Sequence, residues 1–456
     1  MADDAACCAS TSSDEQELKD IRLLLWGPNI NLDIFRRWSQ GFEFSQYEPS
    51  ALIQKEGGPC GVIAPVQAFL LKILLMDTPG HSFSDLTTDK CKTLLVQAFC
   101  NILQKCKEHK FRIVTLPDPE VGKEVLEEDA LDDYDKDVGA SSEDAKMNSL
   151  VSFEWSPEEF HERLSVCSLD NIDEVEKYYA KNFETISGQY GVLLFMYTVF
   201  LTKTVENIIS ELLDTSEPLI HNTYGYASQG LINLMLTGQA VAHVWDHDKD
   251  VGGLKLRGLS QQPDIGFITL MEQMRYCTVG SFYKNPKNPV WIMGSETHLT
   301  VLFSNEKRLV SAETPSEIAR RVFKSFDPEG NNFIPTPVLQ DVLCALDLVS
   351  EQGYVDIMSS KLDPESLGII LMNAFMDEFF PDEARSMPDT FNIMHYNGLP
   401  GSNFSQKVKY NIGSAILLES DLKSMCSVSN PMLTCLQTKW PNIEVNWNGN
   451  RMPSLN

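Results

Sequence analysis

The stretch Gln54-Lys55-Glu56-Gly57-Gly58-Pro59-Cys60-Gly61-Val62-Ile63-Ala64-Pro65-Val66-Gln67-Ala68-Phe69-Leu70-Leu71-Lys72-Ile73-Leu74-Leu75 sets one cysteine where a glycine turn gives way to a long apolar helix pattern. A thiol at a helix start lies at the positive end of the macrodipole, beside backbone N–H groups that lack intrahelical partners. Both favour the thiolate, which is the nucleophilic form. Glycines on the approach let backbone come close to a substrate with no Cβ in the way. Gln54 opens the turn, and its side-chain amide suits donation to the oxyanion formed when Cys60 attacks a carbonyl. These residue types in this order point to a cysteine acyl-transfer centre. Pro65 removes one helical donor, so the spacing predicts either a kinked first turn or a helix that begins nearer Val62.

Cysteine is more often a small buried hydrophobe than a nucleophile. Of the 11 cysteines, Cys91, Cys100, Cys106, Cys167, Cys277, Cys344, Cys426 and Cys435 fit that role, and none of them adjoins a glycine turn. A length of 456 residues with 43% apolar content provides for a large core and two or three domains. The net charge of −27 argues against nucleic acid or an anionic membrane as partner. The first residues lack the pattern of a signal peptide, and the apolar stretch from Tyr190 to Leu201 is too short to span a bilayer. The expectation is a reduced, soluble, intracellular protein with no cofactor.

Residues 1–14 read as a flexible tail, followed by a helix through Leu18, Ile21, Leu24 and Leu25. Acidic residues crowd residues 117–148 with few apolar partners. Such a run cannot bury enough surface to offset its ordering entropy, so it is expected to be a disordered insertion. Ser156-Pro157-Glu158-Glu159 is a capping box with proline at the first helical position. Helices are expected over Ile172–Tyr179, Tyr190–Leu213 and Leu231–Val244, with another after Gly266–Met271. Strands are expected at Pro289–Gly294, Leu299–Phe303, Phe391–Tyr396 and Ile443–Trp447.

A cysteine hydrolase needs a general base. His298 is the strongest candidate, because a strand would project Glu296, His298 and Thr300 from one face while Leu299, Val301 and Phe303 turn to the core. Glu296 or Thr300 would then orient the imidazole. The bland alternative is a half-exposed strand with a polar face. His243, Asp246, His247 and Asp248 form the one metal-like cluster, which reads better as a helix end running into a loop.

Residues Glu56–Gln67 together with Gly294-Ser295-Glu296-Thr297-His298-Leu299-Thr300 resemble the MINDY deubiquitinases. The likeness extends through Phe35–Phe44, Ser228–Gly238 and Trp440-Pro441, and it is strongest to members carrying an EF-hand-like insertion. It implies an α+β, papain-like thiol protease in residues 15–314, completed by C-terminal strands in 386–456. It also implies cleavage of isopeptide bonds in polyubiquitin, with preference for chains joined through ubiquitin's own lysine-48, in the nucleus or cytoplasm. By position, Cys60 would be the nucleophile, His298 the base and Gln54 the oxyanion donor.

Residues 315–385 carry the expected insertion. Asp327, Glu329 and Asn331 stand at the first, third and fifth positions of an EF-hand-like loop, but Val338 replaces the bidentate glutamate at the twelfth. A weaker copy starts at Asp363. Weak calcium binding or none is expected. The alternative reading of the whole chain is a catalytically weak adaptor that binds ubiquitin or responds to calcium; a third is a different Cys–His acyltransferase.

Overall fold

The computed structural model describes residues 12–77, 85–117, 155–311, 314–327, 329–381, 387–418 and 430–456. The acidic run and the first residues, expected to be disordered, lie outside them but for Pro117 and Ser12 to Asp14. Ser12 already opens a helix that continues to Trp26, so residues 12–14 of the expected flexible tail are helical.

Two layers organise the chain. One is a six-stranded sheet with the order Ile443–Trp447, Asn411–Leu417, Thr390–Tyr396, Leu299–Phe303, Val290–Gly294, Gly266–Thr269. Every adjacent pair is antiparallel except the last, which is parallel. The other layer is helical, built around Cys60–Asp77 and Gly191–Lys203. In the first of these, Val62, Ile63, Val66, Phe69, Leu70, Leu71 and Leu74 are all buried. Each such side chain contributes roughly 1.5–3 kcal/mol of burial free energy, so the helix behind Cys60 is fixed along its length.

Alternation along the strands divides the apolar residues between two cores. Val290, Ile292, Leu299, Val301 and Phe303 pack with the Cys60 helix. Trp291, Met293, Leu302, Phe391 and Ile393 pack on the far face with Trp440 and Trp447. Leu299–Phe303 is therefore buried on both faces, not half-exposed as its polar alternation suggested.

The capping box at Ser156 forms with both of its hydrogen bonds. Three helix boundaries differ from expectation for local reasons. Thr204 turns to φ 70° and its hydroxyl accepts from the Asn207 N–H, so the expected Tyr190–Leu213 helix breaks into Gly191–Lys203 and Val205–Leu212, bent by 83°. Gly238 at φ 75° closes the Gln229–Thr237 helix well before Val244. The helix behind the glycine turn starts at Cys60, not Val62, and runs through Pro65. Gly266–Thr269 is a strand, with only Leu270–Gln273 helical after it. Among the described residues no single helix is long and apolar enough to cross a membrane.

Between two neighbouring strands of the sheet, Leu299–Phe303 and Thr390–Tyr396, the chain makes an excursion with a core of its own, from Ala319 and Phe323 to Phe375 and Met376. It consists of two helix–loop–helix units whose loops pair antiparallel, Ile334 opposite Ile370.

Candidate active site

The turn before Cys60 is clamped from the Leu32–Trp38 helix. Arg36 pairs with Glu56 at 2.6 Å, and the Arg37 guanidinium donates to the Gly57 carbonyl at 3.0 Å. The Trp38 indole donates to the Gly225 carbonyl beside Gly58, whose φ of +135° and closeness to that indole leave no room for a Cβ. Gly61 is equally tight: a Cβ there would come within 2.3 Å of the Ala227 methyl. Cys60 is thus fixed on both sides.

Its sulfur lies against backbone of Leu299, Cys60, Gly61 and Gly58, and the thiol donates to the Gly58 carbonyl at 3.7 Å. Leu299 directly follows His298, and Cys60 and His298 line one cavity of about 180 Å³. The helix start and the strand start, remote in sequence, meet there.

Antiparallel pairing supplies a third side chain. The ladder ends at Tyr396 opposite Val301, so the next residue, Asn397, falls opposite Thr300, diagonal to His298. Asn397 Oδ1 lies 3.0 Å from His298 Nε2. The same oxygen accepts from the Leu399 N–H at 3.0 Å, and Asn397 Nδ2 donates to the Ser454 carbonyl at 3.1 Å. Those two bonds fix which way the amide faces. His298 Nε2 must then carry the proton, leaving the Nδ1 lone pair for a thiol proton.

Asn397 was not legible as a site residue. Thr300, expected as an orienting group, is buried with a hydroxyl that has no hydrogen-bond partner among the described residues. Glu296 is exposed at the turn before His298, and the imidazole is perturbed by burial and by Asn397 alone. Neither holds the ring. His395, on the same strand face as Asn397, is fully buried with both ring nitrogens unpartnered among the described residues.

The protonation states depart from the helix-terminus argument. Burial pushes the Cys60 thiol up from 9.0 to about 11, against the opposing pull of the surrounding backbone groups. Burial likewise pushes His298 down to about 4, with Asn397 acting in the other direction. A low-dielectric pocket disfavours both charged forms, so the resting pair is a neutral thiol beside a neutral imidazole. Gln54 is buried, and its Nε2 donates to the Glu56 carbonyl at 2.7 Å while its backbone N–H donates to Gly398 O at 2.9 Å. It stands at the turn, next to the Asn397 segment, with one amide hydrogen not committed to Glu56.

The other sequence candidates stay apart from this site. Asp246 caps the Ser281–Lys284 helix, accepting from the Ser281 and Phe282 N–H groups, and His243 stacks on Trp245. In the inserted unit, Asp327 accepts from the Asn331 and Asn332 N–H groups, and Glu329 accepts from the Asn331 amide. Asp363 accepts likewise from Leu367 and Gly368. Among the described residues there is no group of three or more His, Cys, Asp or Glu arranged to hold a metal ion.

A buried thiol at a helix N-terminus, sharing a cavity with an imidazole held by an amide, is the arrangement of a cysteine-dependent acyl hydrolase. Residues 22–322 match the family profile described as "Deubiquitinating enzyme MINDY-3/4, conserved domain". The chain is 59% identical to "Ubiquitin carboxyl-terminal hydrolase MINDY-3 homolog" of Drosophila melanogaster, over 98% of this chain and 84% of that protein. It is 46% identical to "Ubiquitin carboxyl-terminal hydrolase MINDY-3" of Homo sapiens and 47% identical to that of Danio rerio, each over 96% of this chain and 99% of the other. No solved structure matches it. The chain belongs to the MINDY-3/4 family of deubiquitinating enzymes, and it is a ubiquitin carboxyl-terminal hydrolase of the cysteine type.

Proposed function

We propose that Cys60, His298 and Asn397 form the catalytic centre of a papain-like thiol protease that hydrolyses isopeptide bonds in lysine-48-linked polyubiquitin. The observation that carries this is the buried 3.0 Å His298–Asn397 bond, which holds the imidazole that shares a cavity with the Cys60 thiol. As the sulfur attacks the carbonyl carbon of ubiquitin's terminal glycine, the thiol proton passes to His298 Nδ1. The carbonyl electron pair becomes an oxyanion, stabilised by helix-terminal N–H groups and by the free amide hydrogen of Gln54. Collapse breaks the C–N bond, and the imidazolium protonates the departing lysine amine. Water, deprotonated by His298, then splits the thioester, releasing a carboxylate and restoring the thiol.

The linkage preference rests on the family resemblance. The paired helix–loop–helix units are read as an EF-hand-like pair whose role is structural, because the loops' own N–H groups already occupy the carboxylate oxygens of Asp327 and Asp363. Purified chains of each linkage, incubated with wild type, Cys60→Ala and His298→Ala, test the proposal. Cleavage of lysine-48-linked chains by wild type alone is expected. Cleavage that survives Cys60→Ala would refute it, and binding of chains without any cleavage would favour the adaptor.

A further inference from the structure

The cavity that holds Cys60 and His298 is lined mainly by apolar and neutral polar groups, among them Ile232, Phe267, Met271 and Gln229; Glu296 is its one formally charged residue. The carboxylate is exposed, and no hydrogen bond or ion pair engages it among the described residues. Its backbone is nonetheless firmly placed, in a tight turn between two buried strands. Ser295 N donates to the His298 carbonyl at 3.0 Å, and Ser295 Oγ accepts from His298 N at 3.0 Å and Thr297 N at 3.3 Å. His298 is not its target, since burial and Asn397 account for the state of that ring. An unpaired carboxylate carried by a fixed turn on the wall of a reactive-thiol cavity has substrate as its remaining partner.

The reaction defines where a substrate cation would fall. Ubiquitin's C-terminal tail carries arginine immediately before its Gly-Gly end. With the terminal glycine at the Cys60 sulfur and about 3.3 Å per extended residue, that arginine lies about 7 Å away. Glu296 stands on the wall of the cavity that also holds the Cys60 sulfur, so a cation that far along the tail falls within the same enclosure. The apolar walls suit the arginine stem, and the carboxylate suits its guanidinium.

We propose that Glu296 is a specificity-determining residue that accepts the arginine preceding the Gly-Gly end of ubiquitin. This deepens the catalytic reading above and rests on it.

The test uses ubiquitin with an electrophilic alkyne at its C-terminus, which has an acyl-side tail but no leaving lysine. Half-saturation concentration and limiting rate of Cys60 labelling are measured for wild type, Glu296→Gln and Glu296→Arg, against ordinary ubiquitin and ubiquitin with that arginine changed to glutamate. Losing one partly exposed charge pair is expected to raise half-saturation about 3- to 5-fold in Glu296→Gln, and charge reversal to raise it more than 10-fold in Glu296→Arg. The limiting rate should hold, and the charge-reversed ubiquitin should restore labelling of Glu296→Arg. Equal labelling by all three proteins would overturn the assignment, as would a defect seen with polyubiquitin but not with the alkyne, which would place the cation on the leaving lysine. A loss confined to the limiting rate, without rescue, would also overturn it. If wild type is not labelled at all, the catalytic reading itself falls.

Discussion

Replacing Asn397 with alanine separates catalysis from mere proximity of a thiol and a ring. The substitution removes the 3.0 Å acceptor from His298 Nε2 in a site where the histidine is 5% exposed. A buried N–H left without a partner costs about 1–3 kcal/mol, and the ring is then free to turn or to adopt the other tautomer. If that cost falls wholly on the transition state, kcat/KM drops by about 5- to 150-fold. The side chain also bonds Leu399 and Ser454, so about 1–4 kcal/mol of stability is lost with it, and urea unfolding must accompany the kinetics to show that the enzyme assayed is folded. Asn397→Asp keeps both acceptor contacts and places a negative charge beside the ring. An anion favours imidazolium, so the His298 pKa rises from about 4. Because the neutral ring is the base, the acid limb of the kcat/KM profile moves to higher pH. The assay is chain cleavage between pH 4 and 8. A folded Asn397→Ala enzyme with wild-type kcat/KM, or an Asn397→Asp profile superposing on wild type, refutes the reasoning.

With the resting thiol near 11, alkylation of Cys60 by iodoacetamide should climb close to tenfold per pH unit between 7 and 9; a plateau below pH 8 would contradict a neutral resting pair. His161 and His298 titrate near 4 and His395 near 3 in the folded chain, each lowered chiefly by burial from 6.5. The unfolded chain takes up these protons first as pH falls, so stability is retained above 6.5 and lost progressively from 6.5 down to about 4 for His161 and His298 and about 3 for His395. His161→Phe should flatten the fall in a urea series across that range, and a stability independent of pH there would count against the burial argument. Millimolar calcium is expected to leave both Tm and chain cleavage unchanged, as read by a thermal melt and a gel assay; a rise of several degrees would show that Asp327 and Asp363 can exchange their N–H donors for a cation.

What could be read from the chain depended on how local the cause was. The start at Cys60 follows from glycines abutting an apolar run. The strand Leu299–Phe303 matches in both bounds, because β-branched and aromatic residues run between breakers, while Val290–Gly294 begins one residue after the expected Pro289. Asn397 was invisible because its contact with His298 comes from strand pairing at a separation of 99 residues, and nothing in Tyr396-Asn397-Gly398 distinguishes it from a turn. Asn411–Leu417 escaped notice because its small and exposed residues carry little apolar alternation. The direction of the Cys60 shift failed for a related reason: the helix terminus is local and was seen, whereas desolvation by the sheet is tertiary and proved larger. Thr204 broke a helix through a left-handed turn that an all-apolar pattern does not announce.

The asparagine amide that steadies the base is itself steadied by Ser454, 57 residues further on. During synthesis, the nucleophile therefore leaves the ribosome long before its helpers exist. Pairings of such long sequence separation form slowly, and a nascent chain truncated before Asn397 would carry a cysteine with no machinery around it. The order of synthesis thus separates the thiol in time from the group that fixes its base.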